Sequence, residues 1–89
     1  MAIIKKELIV KNKQGLHARP AALFVQVANK FDSRITVRRD AEEVNGKSIM
    51  GILMLGAENG SLIIIEADGR DAELAVAELE KIINSEEEL

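Results

Sequence analysis

The sequence predicts an α+β domain: a four-stranded antiparallel β-sheet with three helices on one face. Three observations carry this expectation. Segments of alternating apolar and polar residues exchange with segments of helical spacing in the order β-α-β-β-α-β-α. The helical segments are short. The strand segments keep charged residues at alternate positions, which suits a sheet covered on one face and solvated on the other. The 89 residues fit a single domain, 1–89, with 85–89 a frayed acidic tail.

The first strand covers the alternation of Ile4, Lys6, Leu8 and Val10 with Lys5, Glu7, Ile9 and Lys11, with Leu8 and Val10 facing inward. A loop over 12–17 turns around Gly15. Leu23, Val27, Ala28 and Phe31 then recur at helical spacing and are expected to form the core stripe of the first helix. Pro20 suits its first turn, where a missing N–H costs nothing. Ile35 and Val37, between Arg34, Thr36 and Arg38, mark a second strand, and Val44 a short third one after a turn near Asp40 and Ala41. Ser48 is an N-cap before the apolar run Ile49 to Leu55, and Gly56 closes it. The stripe Ile49, Ile52 and Leu53 is expected to face the core, with Met50 and Met54 toward the surface. Leu62 to Ile65 is β-branched and bounded by Gly60 and Gly69, so it reads as a central strand. Asp71 can cap a last helix with the stripe Ala75, Val76, Leu79, Ile82 and Ile83. Lys5, Glu7, Arg34, Arg38 and Glu66 fit the solvated face of the sheet.

Composition removes several functions. The chain is 47% hydrophobic and 2% aromatic, too apolar for disorder and too poor in rings for a base-stacking nucleic-acid module. It has no cysteine and one histidine, so thiolate chemistry and a zinc site of Cys and His ligands are excluded, and no metal is expected. Neither a signal peptide nor a run approaching the ~20 apolar residues of a membrane span is visible. The expectation is a cytoplasmic protein without membrane insertion. The net charge of −3 is uneven: residues 71–89 hold seven acids against Lys81, while the other 70 residues hold eleven bases against eight acids. The basic part contains Lys11, Lys13, Arg19 and Lys47 and can attract an anionic partner surface. It is too dispersed for nucleic acid.

The chemistry concentrates in Gly15-Leu16-His17-Ala18-Arg19-Pro20-Ala21. This segment sets the histidine just before a helix start, where backbone N–H groups lack intrahelical partners and the helix dipole is positive. Such an end receives anions and disfavours a cationic ring, leaving a nitrogen free to attack phosphorus. A phosphoryl group once attached would meet N–H groups around Ala18 and Arg19 and the Arg19 fork. From spacing alone, a surface histidine that caps the helix is the favoured reading. A serine hydrolase would need a nucleophile elbow, and a nucleotide site would need the lysine and hydroxyl of a P-loop; Gly56-Ala57-Glu58-Asn59-Gly60 has neither.

The same segment resembles the phosphorylation-site signature of HPr, the phosphocarrier of the bacterial phosphoenolpyruvate-dependent phosphotransferase system. Asn45-Gly46-Lys47-Ser48-Ile49-Met50-Gly51 resembles that family's serine-site signature, and the likeness spans nearly the whole chain. The resemblance implies an open-faced β-sandwich. It implies a phosphocarrier, not an enzyme that turns over a small substrate, and no cofactor. His17 would accept phosphate at Nδ1 from enzyme I and pass it to a IIA protein or domain, with Arg19 as electrostatic partner. Ser48 would match the serine that HPr kinase/phosphorylase modifies, which adds that enzyme and a catabolite-control regulator as partners. The family's Asn-Gly between its second and third strands is Arg39-Asp40-Ala41-Glu42 here, so a looser hairpin is expected.

The docking surface is expected around the two signatures: Leu16, Pro20, Lys47, Ile49, Met50, Gly51 and Met54. Methionines adapt to differently shaped partners. A monomer is expected. The alternatives are the nitrogen-branch paralogue, which keeps the histidine, and a regulatory binding module that acts through Ser48 phosphorylation. The second needs no histidine.

Overall fold

The structure, a computed structural model, describes residues 2–86. Its elements are β1 (Ala2–Ile9), α1 (Ala18–Ala28), β2 (Arg34–Arg39), β3 (Glu42–Asn45), α2 (Ile49–Met54), β4 (Leu62–Gly69) and α3 (Ala72–Ile83). The strands form one antiparallel sheet in the spatial order β1-β4-β2-β3, so β4 lies inside, as its β-branched run requires. Both the element order and the antiparallel sheet are those expected from the sequence.

Register sorts the strand residues between two faces. Leu8 opposite Ile63, and Ile65 opposite Val37, point to the helices and are buried. α3 packs on β1 and β4, α1 on α3 and α2, and α2 on β3. Phe24, Ile52, Leu79 and Ile83 complete the core from the helix side. Burial of each such side chain contributes about 1.5–3 kcal/mol. The opposite face is polar in its middle rows: Lys5 Nζ lies 3.5 Å from Glu66, whose strand neighbour is Thr36. Arg34 and Arg38 are exposed. Ile9 and Leu62, paired across β1 and β4, are exposed too.

Five local expectations are corrected. The buried stripe of α1 is Pro20, Ala21, Phe24 and Ala28; Leu23, Val27 and Phe31 are only partly buried against the core. The helix is rotated from the expected face because Phe24 fills the centre, where the largest apolar side chain gains most. On α2 only Ile52 is buried, joined by Leu55 just past its end, while Ile49 and Leu53 are exposed. A helix of six residues over the sheet edge can bury one narrow stripe. Asp71 stands at the N-cap of α3, but its side chain makes no cap bond. It accepts instead from the N–H groups of Asp32 (2.9 Å) and Ser33 (3.0 Å) and from the Ser33 hydroxyl. The hairpin is tight: Arg39 pairs with Glu42, leaving Asp40 and Ala41 as the connection, and Asp40 takes the positive φ of 53° that Asp tolerates. Of the expected frayed tail, Ser85 is tied at both ends of its peptide, its N–H to the Ile82 carbonyl and its carbonyl to Asn12 Nδ2. Residues 87–89 lie outside the described residues.

Candidate functional site

Residues 10–17 run from the end of β1 across one end of the domain. Val10 exchanges hydrogen bonds with the 60–61 segment: its N–H donates to the Ser61 carbonyl (2.9 Å) and its carbonyl accepts from Gly60 (2.8 Å). Lys11 N–H donates to the Ile83 carbonyl (2.9 Å). Asn12 closes a turn by accepting from Gly15 N–H (3.0 Å). Gly15 is buried at φ +74°, and a Cβ there would stand 2.5 Å from the Ala57 carbonyl oxygen. Only glycine fits this approach. It lets Leu16 N–H donate to that same carbonyl at 2.8 Å. The loop thus delivers His17 to a fixed point against residues 57–58.

His17 is the N-cap residue of α1, with extended backbone (φ −82°, ψ −170°) and no capping bond from its side chain. Its carbonyl accepts from Ala21 N–H at 2.9 Å, the first turn of the helix. The ring is therefore not spent on capping. It is half-buried and lines a shallow depression of ≈ 290 Å³ with Gln14, Leu16, Leu53, Gly56, Ala57 and Glu58. Ala18 and Arg19 follow as exposed first and second helical residues, and Pro20 as the third, at no cost in hydrogen bonds. A negatively charged group at the ring would lie at the positive end of α1.

The serine signature lies on α2. Ser48 is its N-cap and accepts from Gly51 N–H at 3.1 Å, as the sequence predicts. Gly51 is held close: a Cβ there would meet the Asn45 carbonyl at 3.1 Å and Val44 Cβ at 3.2 Å. Arg39 Nη1 donates to the Leu55 carbonyl at 3.0 Å and so satisfies the other end of the helix. Met50 and Met54 are 63% and 67% exposed, and with Ile49 and Leu53 they leave α2 apolar on its outer side. Leu53 shares the depression with His17, so the apolar helix and the histidine are neighbours.

Three residues expected at a docking surface are wholly or partly covered by the fold. Leu16 and Pro20 are buried and support the loop from beneath. Lys47 is half-buried, with Nζ 2.6 Å from the Phe31 carbonyl and its own carbonyl taking Asn29 Nδ2 at 3.3 Å. It fastens the end of α1 to the start of α2. Sequence reasoning did not single out Asn12 or Arg39. The only signal for Asn12 is a short polar residue between a strand end and Gly15, which is common in loops. Among the described residues no group of three or more His, Asp or Glu comes together as a metal site, and no helix is long and apolar enough to cross a membrane.

Fold and site together define a small open-faced α+β domain that presents one histidine at a helix start beside an exposed apolar helix. The family model described as "PTS HPr component phosphorylation site" matches residues 4–85. The chain belongs to the HPr family, the phosphocarriers of the phosphotransferase system. It is 45% identical to the HPr-like protein Crh of Halalkalibacterium halodurans, over 94% of this chain and 100% of that one. The crystal structure of the phosphocarrier protein HPr from Bacillus anthracis superposes with a TM-score of 0.89 at 47% identity, covering 93% of this chain and 99% of that one. Crh of Bacillus subtilis, solved as a domain-swapped dimer, matches with a TM-score of 0.75 at 40% identity over 93% and 95% of the two chains.

Proposed function

We propose that this chain is a cytoplasmic, monomeric phosphocarrier that takes a phosphoryl group from phosphorylated enzyme I onto His17 and passes it to a IIA protein or domain. The observation that carries the reading is the position of His17, at the start of α1 with a ring that makes no capping bond. The lone pair of Nδ1 forms the new N–P bond as the donor's own N–P bond breaks, and the donor nitrogen leaves with that electron pair. His17 keeps its proton on Nε2 throughout. The phosphoryl oxygens are stabilised by the Ala18 N–H and the Arg19 guanidinium, a charge-assisted pairing reinforced by the helix end. The exposed side of α2, with Ile49, Met50 and Met54 next to Gly51, supplies the docking surface. Carrying is stoichiometric: one phosphoryl group resides on one His17 until it is handed on.

Incubation with phosphoenolpyruvate and enzyme I, followed by intact mass and acid treatment, tests the assignment. The expected product is one acid-labile phosphate, absent from His17→Ala. An acid-labile phosphate that persists in His17→Ala refutes it. Size-exclusion chromatography with light scattering checks the monomer.

The likeness to Crh and the cap position of Ser48 favour a second, compatible role. HPr kinase/phosphorylase phosphorylates Ser48, and the product binds a catabolite-control regulator. The signature is an acid-stable phosphate that forms with ATP and the kinase in His17→Ala but not in Ser48→Ala.

A further inference from the structure

Asn12 is 3% exposed, yet it is polar and sits in the loop that ends at His17. Its Nδ2 donates to the carbonyls of Ile82 (2.9 Å) and Ser85 (3.1 Å). These belong to the last turn of α3 and the residue after its C-cap, and the Ile82 carbonyl also accepts from Ser85 N–H at 3.3 Å. Lys11 N–H takes the Ile83 carbonyl between them. On the other side, the Asn12 carbonyl accepts from Gly15 N–H and from Asn59 Nδ2 at 3.1 Å. One buried residue therefore joins the histidine loop, the 58–61 turn and the end of α3. Asn12 Oδ1 is buried without a hydrogen-bond partner among the described residues. A buried orphan acceptor is expensive, so an amide is kept here for its donors, which leucine would take from the Ile82 and Ser85 carbonyls. The donor half of the amide is what the site uses.

From this we infer that Asn12 is a positioning residue for phosphoryl transfer, clamping the His17 loop to the C-terminal end of α3. The inference rests on the phosphocarrier reading. Its logic is geometric. Leu16 N–H to Ala57 fixes one end of the loop, and Asn12 fixes the other. Loss of the Asn12 amide leaves Lys11 N–H as the bond from this end of the loop to α3, and loosens the Asn12 carbonyl that receives Gly15 N–H, so the support beneath His17 weakens. Displacement of a reacting group by about 1 Å can cost on the order of a hundredfold in rate. Docking on α2 does not pass through Asn12, so affinity for enzyme I should survive.

The test uses Asn12→Asp and Asn12→Ala with phosphoenolpyruvate and enzyme I. Asp keeps the shape but replaces both donors with a carboxylate facing two carbonyls. The expected result is a kcat lowered on the order of tenfold or more, an unchanged KM for the carrier, and faster hydrogen exchange at Gly15 and Leu16. Protonation restores one donor to Asp. The rate of Asn12→Asp relative to wild type should therefore climb as pH falls from about 8 to about 5, which a merely destabilised protein would not show. Asn12→Ala, which carries no repulsive charge, should be slow at every pH. Ile65→Val trims the sheet core away from the loop and should lower the melting temperature without lowering kcat. A wild-type kcat in Asn12→Ala, or a kcat that tracks only the melting temperature across the three variants, overturns the clamp. Absence of an acid-labile phosphate on the wild-type chain overturns the phosphocarrier reading itself, and this inference with it.

Discussion

Gly15→Ala isolates the contact that fixes His17. The L-residue must hold φ near +74°, which costs roughly 1–2 kcal/mol without a glycine. Its Cβ would lie 2.5 Å from the Ala57 oxygen and 2.8 Å from Glu58 Cα. Both are backbone atoms, so no side-chain rotation relieves the clash. Relief requires the loop to move off residues 57–58, which stretches the Leu16 N–H bond to Ala57 and forfeits about another 1 kcal/mol. The sum is about 2–3 kcal/mol. For a domain of this size that lowers the melting temperature by on the order of 10–20 °C. Gly56→Ala is the internal control: φ is +58°, but nothing lies within 4 Å of an added Cβ, so only the conformational cost of about 1–2 kcal/mol applies. Urea unfolding of both variants gives the difference, and single-turnover transfer from enzyme I gives the effect on His17. Transfer in Gly15→Ala should fall on the order of tenfold or more, well beyond any loss in Gly56→Ala. Equal destabilisation of the two variants, or full transfer in Gly15→Ala, would refute the claim that close approach to residue 57 sets the histidine.

Arg19→Glu should slow phosphoryl transfer in both directions, since a carboxylate repels the transferred group. Arg19→Lys should recover only part, because it lacks the planar fork; stopped-flow rates for the three proteins decide. Ser48→Ala should lose about 1 kcal/mol by chemical denaturation, the worth of an N-cap bond. Ser48→Asp should keep or raise stability, placing an anion at the welcoming end of α2, yet weaken enzyme I binding in a calorimetric titration. The hydrogen bond from Ser33, aided by those from Asp32 and Ser33 N–H, holds the Asp71 carboxyl below its ordinary 3.8. A carboxylate stabilised in the folded state contributes stability above its unfolded pKa and loses it as pH falls through the folded value. The melting-temperature gap between wild type and Asp71→Asn should therefore be constant near neutrality and shrink below about pH 4.

By itself, the sequence determined the element order, the sheet's two-faced character, and the reactive segment. Those properties are local: alternation in Ile35-Thr36-Val37, a cap at Ser48, and a proline three residues after the lone histidine depend on neighbours along the chain. The antiparallel sheet follows because strands that alternate charge and apolar residues cannot be buried on both faces. Tertiary structure alone decided which side of each helix is covered. Phe24 displaced Leu23 and Val27 from the centre because packing on α3 and the sheet sets the rotation of α1, and periodicity leaves that angle free. It also decided where polar side chains spend their hydrogen bonds. Asp71 abandoned its own helix for the Ser33 turn, the half-buried Lys47 reached the end of α1, and Asn12 reached the far end of α3. Each of these partners is between sixteen and 70 residues away in sequence, so no local pattern encodes the pairing. His17 was legible because its chemistry is written in its neighbours; what holds it in place was not, because those groups meet only when the chain has folded.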